Sequence, residues 1–222
     1  YDCDLEKTVD NLVDGSFFNS GQSCCGIERI YVDEKIFNSF LELFISKTYN
    51  YKLGNPLEQE NNLGPVVKLS AAEFIINQMS SAIDKGAKKM IDENKFHFPK
   101  EHKNYLVPQI LTNVTHEMDF MTEETFGPCV GIMKVSDENE AVKLMNDSPY
   151  GLTASIWTND VEIAEKIGNQ VQTGTFFMNR CDYLDPALSW TGVKETGKGC
   201  SLSEIAYEKL TAPKSFHLRK GQ

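Results

Sequence analysis

No run of apolar residues in this 222-residue chain approaches the length of a membrane span. No basic-then-apolar leader pattern is read at its start, so a cytoplasmic protein is expected. Positive charge is scarce. Lys and Arg number 22 against 32 Asp and Glu, for a formal net charge of −10. An acidic surface argues against nucleic acid or an anionic membrane as the main partner. The histidines (His97, His102, His116 and His217) show no zinc-ligand spacing, and the six cysteines include no C-x-x-C pair, so no metal site is expected. In a chain of this length without a leader pattern, those cysteines read as free thiols in a reducing compartment rather than as a disulfide framework. Internal repeats and low-complexity tracts are absent. No Gly-x-Gly-x-x-Gly opens a strand-turn-helix unit, so no dinucleotide fingerprint is present.

What the chain does contain is a 41% hydrophobic composition, enough for one large core or two small ones. Residues 4–16 place Leu5, Val9, Leu12 and Val13 at helical spacing. Residues 27–32, IERIYV, read as a strand. A long amphipathic helix follows, with Asp33 as its N-cap. The Gly-, Pro- and Asn-rich residues 54–65 read as a loop, and 68–85 as a helix ending at Gly86, with a short strand near KKMI. Pro108 demotes residues 104–111 to an edge or interrupted strand. Residues 128–135 read as a buried strand. Asp137 then caps a helix, GLTASIWT forms a strand, Asn159 caps a second helix, and residues 173–179 form a strand. A short helix near SLSEIAY leads into a strand-like tail. This alternation predicts an α/β fold: an open, largely parallel twisted sheet with flanking helices, its chemistry on loops beyond the strand ends.

The stretch FFNSGQSCCGIERIYV, residues 17–32, sets two adjacent cysteines between a helix and a strand. A thiol is a nucleophile only as thiolate, and a free one titrates near pH ~8.5, so a reactive site must favour the anion or supply a base. Gly21 lets the backbone approach a ligand closely, and main-chain N–H groups in such a turn can converge on a developing oxyanion. On local pattern alone, Cys24 and Cys25 read equally as small core residues at a strand start.

Several segments resemble, in order, those of the aldehyde dehydrogenase superfamily. FFNSGQSCCGIER resembles its nucleophile segment. EETFGP, residues 123–128, resembles its E-E-I-F-G-P segment, and YGLTASIWTND, residues 150–160, a strand near its active site. GTFFMNR, residues 174–180, and WTGVKETGKG, residues 190–199, resemble two later motifs. The resemblance spans essentially the whole chain. It implies that Cys24 attacks an aldehyde to form a thiohemiacetal, that hydride passes to NAD or NADP, and that water releases a carboxylic acid from a Cys24 thioester. By the same resemblance the Cys24 N–H is an oxyanion donor, and Glu124 binds the nicotinamide-side ribose. Phe126 would pack near the nicotinamide, and Phe18, Cys25 and Trp190 would line the substrate pocket, with Phe17 a further candidate. Asn179 would position the loop of residues 180–183. Trp190 and Thr191 stand where many members have Phe and Gly, which affects the shape of the pocket.

The resemblance also implies what lies elsewhere. The family's cofactor-binding domain, its oxyanion-hole Asn and its E-L-G-G-K general base have no counterpart in these residues. The chain therefore reads as a catalytic α/β domain, residues 1–205, followed by an oligomerisation strand or tail, residues 206–222, of a homodimer or homotetramer. By itself it is expected to be inactive. The alternatives are a non-catalytic dimerisation fragment, or a thiol hydrolase or peroxidase that needs no nicotinamide.

Overall fold

Helix and strand signals alternate along the sequence, and in the computed structural model, which describes residues 1–98, 101–181 and 183–221, they form a layered α/β domain. Helix α1 (Leu5–Phe17) opens on Asp4, whose carboxylate accepts from the Lys7 amide, as an N-cap should. Strand β1 (Arg29–Asp33) follows the cysteine turn, and α2 (Phe37–Thr48) follows β1. Asp33 is not the cap of α2. It ends β1, its Oδ1 accepts from the Lys35 amide at 2.9 Å, and the helix begins after Ile36 without a side-chain cap. The chain continues through α3 (Leu69–Asp84), β2 (Lys88–Lys89), β3 (Gln109–Thr112), α4 (Asp119–Thr122) and β4 (Cys129–Val135). Next come α5 (Glu138–Asn146), β5 (Thr153–Ile156), α6 (Val161–Gly168), β6 (Thr175–Met178) and α7 (Ile205–Leu210).

The strands form two sheets. The larger runs β1-β4-β3-β2, with β1, β4 and β3 parallel and β2 antiparallel at its edge. Pro108 does not weaken β3. It lies one residue before the ladder, where its missing N–H is not needed, and β3 sits between two partners with all four residues buried. The smaller sheet is the parallel pair β5-β6. Each is joined by a helical crossover, as parallel strands require.

Helices cover both faces of the larger sheet. On one side Val9, Leu12, Val13 and Phe17 of α1 and Phe40 and Phe44 of α2 pack on Ile30, Val32, Val130 and Ile132. On the other, Ala72, Ile75 and Ala82 of α3 pack with Leu111, Phe120, Met121 and Cys129. Period-2 strands alternate between the two cores, and buried Leu, Ile and Phe side chains each contribute about 1.5–3 kcal/mol.

Two further expectations shift. The cap of α6 is Asp160 rather than Asn159; its Oδ1 accepts from the Glu162 and Ile163 amides. The tail is helical over α7 and has no strand through residue 221, because an edge strand forms only where another edge receives it. Among the described residues no helix is long and apolar enough to cross a membrane.

The register fixes which main-chain groups are used. The Gly131 amide donates to the Glu28 carbonyl and the Glu34 amide to the Val135 carbonyl, so even-numbered residues of β1 face β4 and Arg29 and Tyr31 face away. Likewise the Thr175 and Asn179 amides donate to Leu152 and Ile156, which turns Thr153 and Ser155 away from β6. All four residues line one cavity of about 830 Å³ between the sheets.

Candidate active site at the Cys24 turn

Helix α1 ends in the core. The Phe17 ring is fully buried and meets Phe44 and Tyr51 edge-on at centroid distances of 6.1 and 5.8 Å. The chain must then reverse toward β1. It does so through three consecutive left-handed residues, Asn19, Ser20 and Gly21, at φ 51°, 58° and 70°. Two of these are not glycine, so other contacts must hold them there. The Ser20 hydroxyl donates to the Gly64 carbonyl at 2.6 Å. Gln22 Nε2 donates to the Asn19 and Pro65 carbonyls, and Gln22 Oε1 accepts from the Val67 amide at 2.8 Å. The asparagine and glutamine of this segment thus tie the turn to itself and to residues 64–67.

Gly21 also touches a second loop. A Cβ built there would lie 2.0 Å from the Gly127 carbonyl oxygen, so the two backbones meet directly. Beyond Gly21 the Gly26 amide closes a tight turn on the Ser23 carbonyl at 3.1 Å. Cys24 emerges exposed at its apex and Cys25 is buried beneath it. Among the described residues no group accepts the Cys24 N–H, which leaves it free to donate to an oxyanion.

Cys24, Glu124 and Trp190 line the same cavity, together with Glu123, Tyr150 and Thr196. Its size lies in the range of small-molecule sites, about 300–1,000 Å³. The Glu123 carboxylate accepts from the Tyr150 hydroxyl at 3.2 Å. Burial, then Glu123, push the Tyr150 phenol above its usual value. Glu124 has no hydrogen-bond partner among the described residues, so its oxygens are open to a ligand. Trp190 is fixed by paired main-chain bonds with Ser201, at 2.7 and 2.8 Å, and Thr191 Oγ1 donates to the Gly199 carbonyl. Asn179, at φ 53°, joins the ends of β6 and β5: its Oδ1 accepts from the Thr158 amide and its Nδ2 donates to the Thr158 carbonyl. The guanidinium of the next residue, Arg180, stacks on the Tyr183 ring at 3.2 Å.

Phe17, Phe18 and Cys25, expected near the substrate, and Phe126, expected near the nicotinamide, are not among the residues that line this cavity. Phe17 is core. Phe18 is 59% exposed and Phe126 40% exposed, and neither lines the cavity; Cys25 lies under the turn. Phe18 directly precedes the left-handed residues 19–21, and Phe126 itself has a left-handed φ of 53°.

Motif reading missed Glu28. This residue, just before β1, accepts the Phe126 amide at 2.8 Å on Oε1 and the Thr125 amide at 3.0 and 3.1 Å on its two oxygens. Burial pushes its carboxyl above the usual range despite those two amides. The available signal was an adjacent acid and base, Glu28 and Arg29, leading into the apolar strand IYV, where charges persist only with partners.

The family model described as "Aldehyde dehydrogenase family" matches residues 1–216. The 3-sulfolactaldehyde dehydrogenase of Priestia aryabhattai is 33% identical over 211 residues, covering 95% of this chain and 43% of that protein. The Escherichia coli succinate semialdehyde dehydrogenase [NAD(P)+] Sad is 34% identical over 209 residues, 94% of this chain and 45% of that one. The crystal structure of betaine aldehyde dehydrogenase from Staphylococcus aureus with NAD+ superposes with a TM-score of 0.87 at 29% identity, covering 94% of this chain and 42% of that one. The chain thus spans less than half the length of these relatives.

Proposed function

Because the chain belongs to the aldehyde dehydrogenase family, we propose that it carries the nucleophile half of an NAD(P)-dependent enzyme that oxidises an aldehyde to a carboxylic acid. The supporting observation is that an exposed thiol, Cys24, and an unengaged carboxylate, Glu124, line one cavity. Cys24 as thiolate attacks the carbonyl carbon of the aldehyde, and the oxygen takes the negative charge as a thiohemiacetal forms. The free Cys24 N–H supplies one hydrogen bond to that oxygen. Glu124 suits the ribose of a nicotinamide cofactor, because its oxygens can accept from two neighbouring hydroxyls. When bound, that cofactor supplies the hydride acceptor. Cys24 then holds the acyl group as a thioester, which water cleaves to the acid.

Trp190 walls the acyl side of the cavity. A side chain of that size favours a flat or short substrate over a branched one. The general base and the remainder of the cofactor site are not among these residues, so residues 1–222 alone are not expected to oxidise aldehydes.

In the full-length protein, Cys24→Ser should lower NAD(P)H formation by at least about a thousandfold, and the acyl adduct seen by mass spectrometry on the parent should vanish. Release of a carboxylic acid from an ester without NAD(P)+, with no NAD(P)H formed from any aldehyde, would instead identify a thiol hydrolase. A Cys24 that iodoacetamide labels no faster than Cys3 or Cys200 would identify a non-catalytic module.

A further inference from the structure

The segment that bears Glu124 is held at three points. Gln78 of α3 donates to the Asp119 and Glu123 carbonyls, both at 3.4 Å, and Arg29 donates to the Met121 carbonyl at 3.2 Å. Both holds lie before Glu124. After it, the Thr125 and Phe126 amides both end on the Glu28 carboxylate. Among the described residues no other acceptor takes either amide. Phe126 needs such a hold, since a left-handed aromatic residue is costly unless its surroundings fix it. Gly127 seals the next position: a Cβ there would lie 2.5 Å from Ile75 Cδ1, and its carbonyl already meets Gly21.

We infer that Glu28 is a positioning residue for cofactor binding: from the loop that carries Cys24, it clamps the Thr125–Phe126 turn and so fixes where Glu124 stands relative to the thiol. The inference rests on the family reading of Glu124 proposed above. Glu28 follows Cys24 by only four positions, and it reaches the other loop across 97 and 98 positions of sequence. One side chain therefore bridges two loops that also meet at the Gly21–Gly127 contact. A carboxylate with two amide donors suits the task, because charge-assisted bonds are short and directional. Glu28 is half-buried at the edge of the cavity, and an Ala there would leave two amides without a protein acceptor.

The test uses the full-length protein with Glu28→Gln, which keeps one acceptor oxygen, and Glu28→Ala, which keeps none. Three quantities are read: NAD+ and NADP+ affinity by calorimetric titration, amide exchange of Thr125 and Phe126, and the rate of iodoacetamide labelling at Cys24. Glu28→Ala is expected to weaken cofactor affinity about tenfold or more, to speed exchange at those two amides, and to leave Cys24 labelling within about twofold. Glu28→Gln is expected to recover most of the affinity. Parent-like affinity in Glu28→Ala overturns the inference. So does a parallel loss of affinity, labelling and melting temperature in both variants, which would make Glu28 a general fold residue. Should the parent bind neither cofactor, the proposed function fails on its own. Exchange then decides the clamp, faster exchange confined to Thr125 and Phe126 supporting it and unchanged exchange overturning it.

Discussion

Gly21 admits no side chain. Its φ of 70° disfavours one, and the space a Cβ would need is occupied by the Gly127 carbonyl. Gly21→Ala should therefore lower stability by about 3 kcal/mol or more, read as a fall in the denaturant midpoint at constant slope, and should displace Cys24 as well. Asp2 gives a pH-dependent counterpart. Asp2 is exposed; its slight loss of hydration opposes ionisation, but bonds from the Thr158 hydroxyl at 2.7 Å and the Asn159 amide at 2.9 Å outweigh this and hold its pKa below the usual value. A depressed carboxylate stabilises the native state above its unfolded value, near pH ~3.9, and that share is lost as pH falls through the native value. Asp2→Asn should melt lower than the parent at pH 7, and the gap should close as pH drops below about 4. Cys24 and Glu124 were singled out by resemblance to family motifs rather than by local pattern, and both line the same cavity. Glu28 and Gln22 were not singled out, because each acts on a segment tens of residues away and a hydrogen-bond acceptor leaves no periodic trace.

Helix starts were read correctly at Asp4 and Asp137 but not at Asp33, which ends β1 instead of capping α2. Asp4 and Asp137 sit where periodicity begins, and Asp137 Oδ1 accepts from the Asn139 and Glu140 amides at 2.8 and 2.9 Å. The Asn159 reading slipped by one residue because Asn159 and Asp160 are both good caps and only the geometry selects between them. Asp137→Ala and Asp160→Ala should each cost about 1 kcal/mol, measurable by thermal unfolding. Their effects should add, since the two caps start different helices. Strand β3 was misread through Pro108, a residue whose effect depends on whether its nitrogen faces a partner. The short β2 was legible only as a suggestion. A pairing of two residues depends on Gln109, whose amide exchanges hydrogen bonds with the Ile91 backbone from a fully buried position. Sequence patterns identify which elements exist; long-range side-chain bonds determine where they end.

Taken together, the helix–strand alternation predicted the α/β class and its mostly parallel strands, but not their division into two sheets, because edge pairing depends on what occupies the space between the strands. The tail is a second feature of the assembled chain. Phe216 and Leu218 are 70% and 86% exposed, in a segment with no regular structure. The family reading makes this tail a strand that joins a neighbouring subunit. Sedimentation of the full-length protein should then give a dimer or tetramer, and Phe216→Glu with Leu218→Glu should shift it toward monomer. A monomeric parent would refute this.

The gap between β1 and β5 has a consequence for how the chain meets solvent. Arg29, Tyr31, Thr153 and Ser155 turn peptide groups toward it, while Ile30, Val32, Ala154 and Ile156 spend theirs on neighbouring strands. In residues 1–222, deuterium should enter at the first four amides much sooner than at the second four, although both sets alternate along the same two backbones.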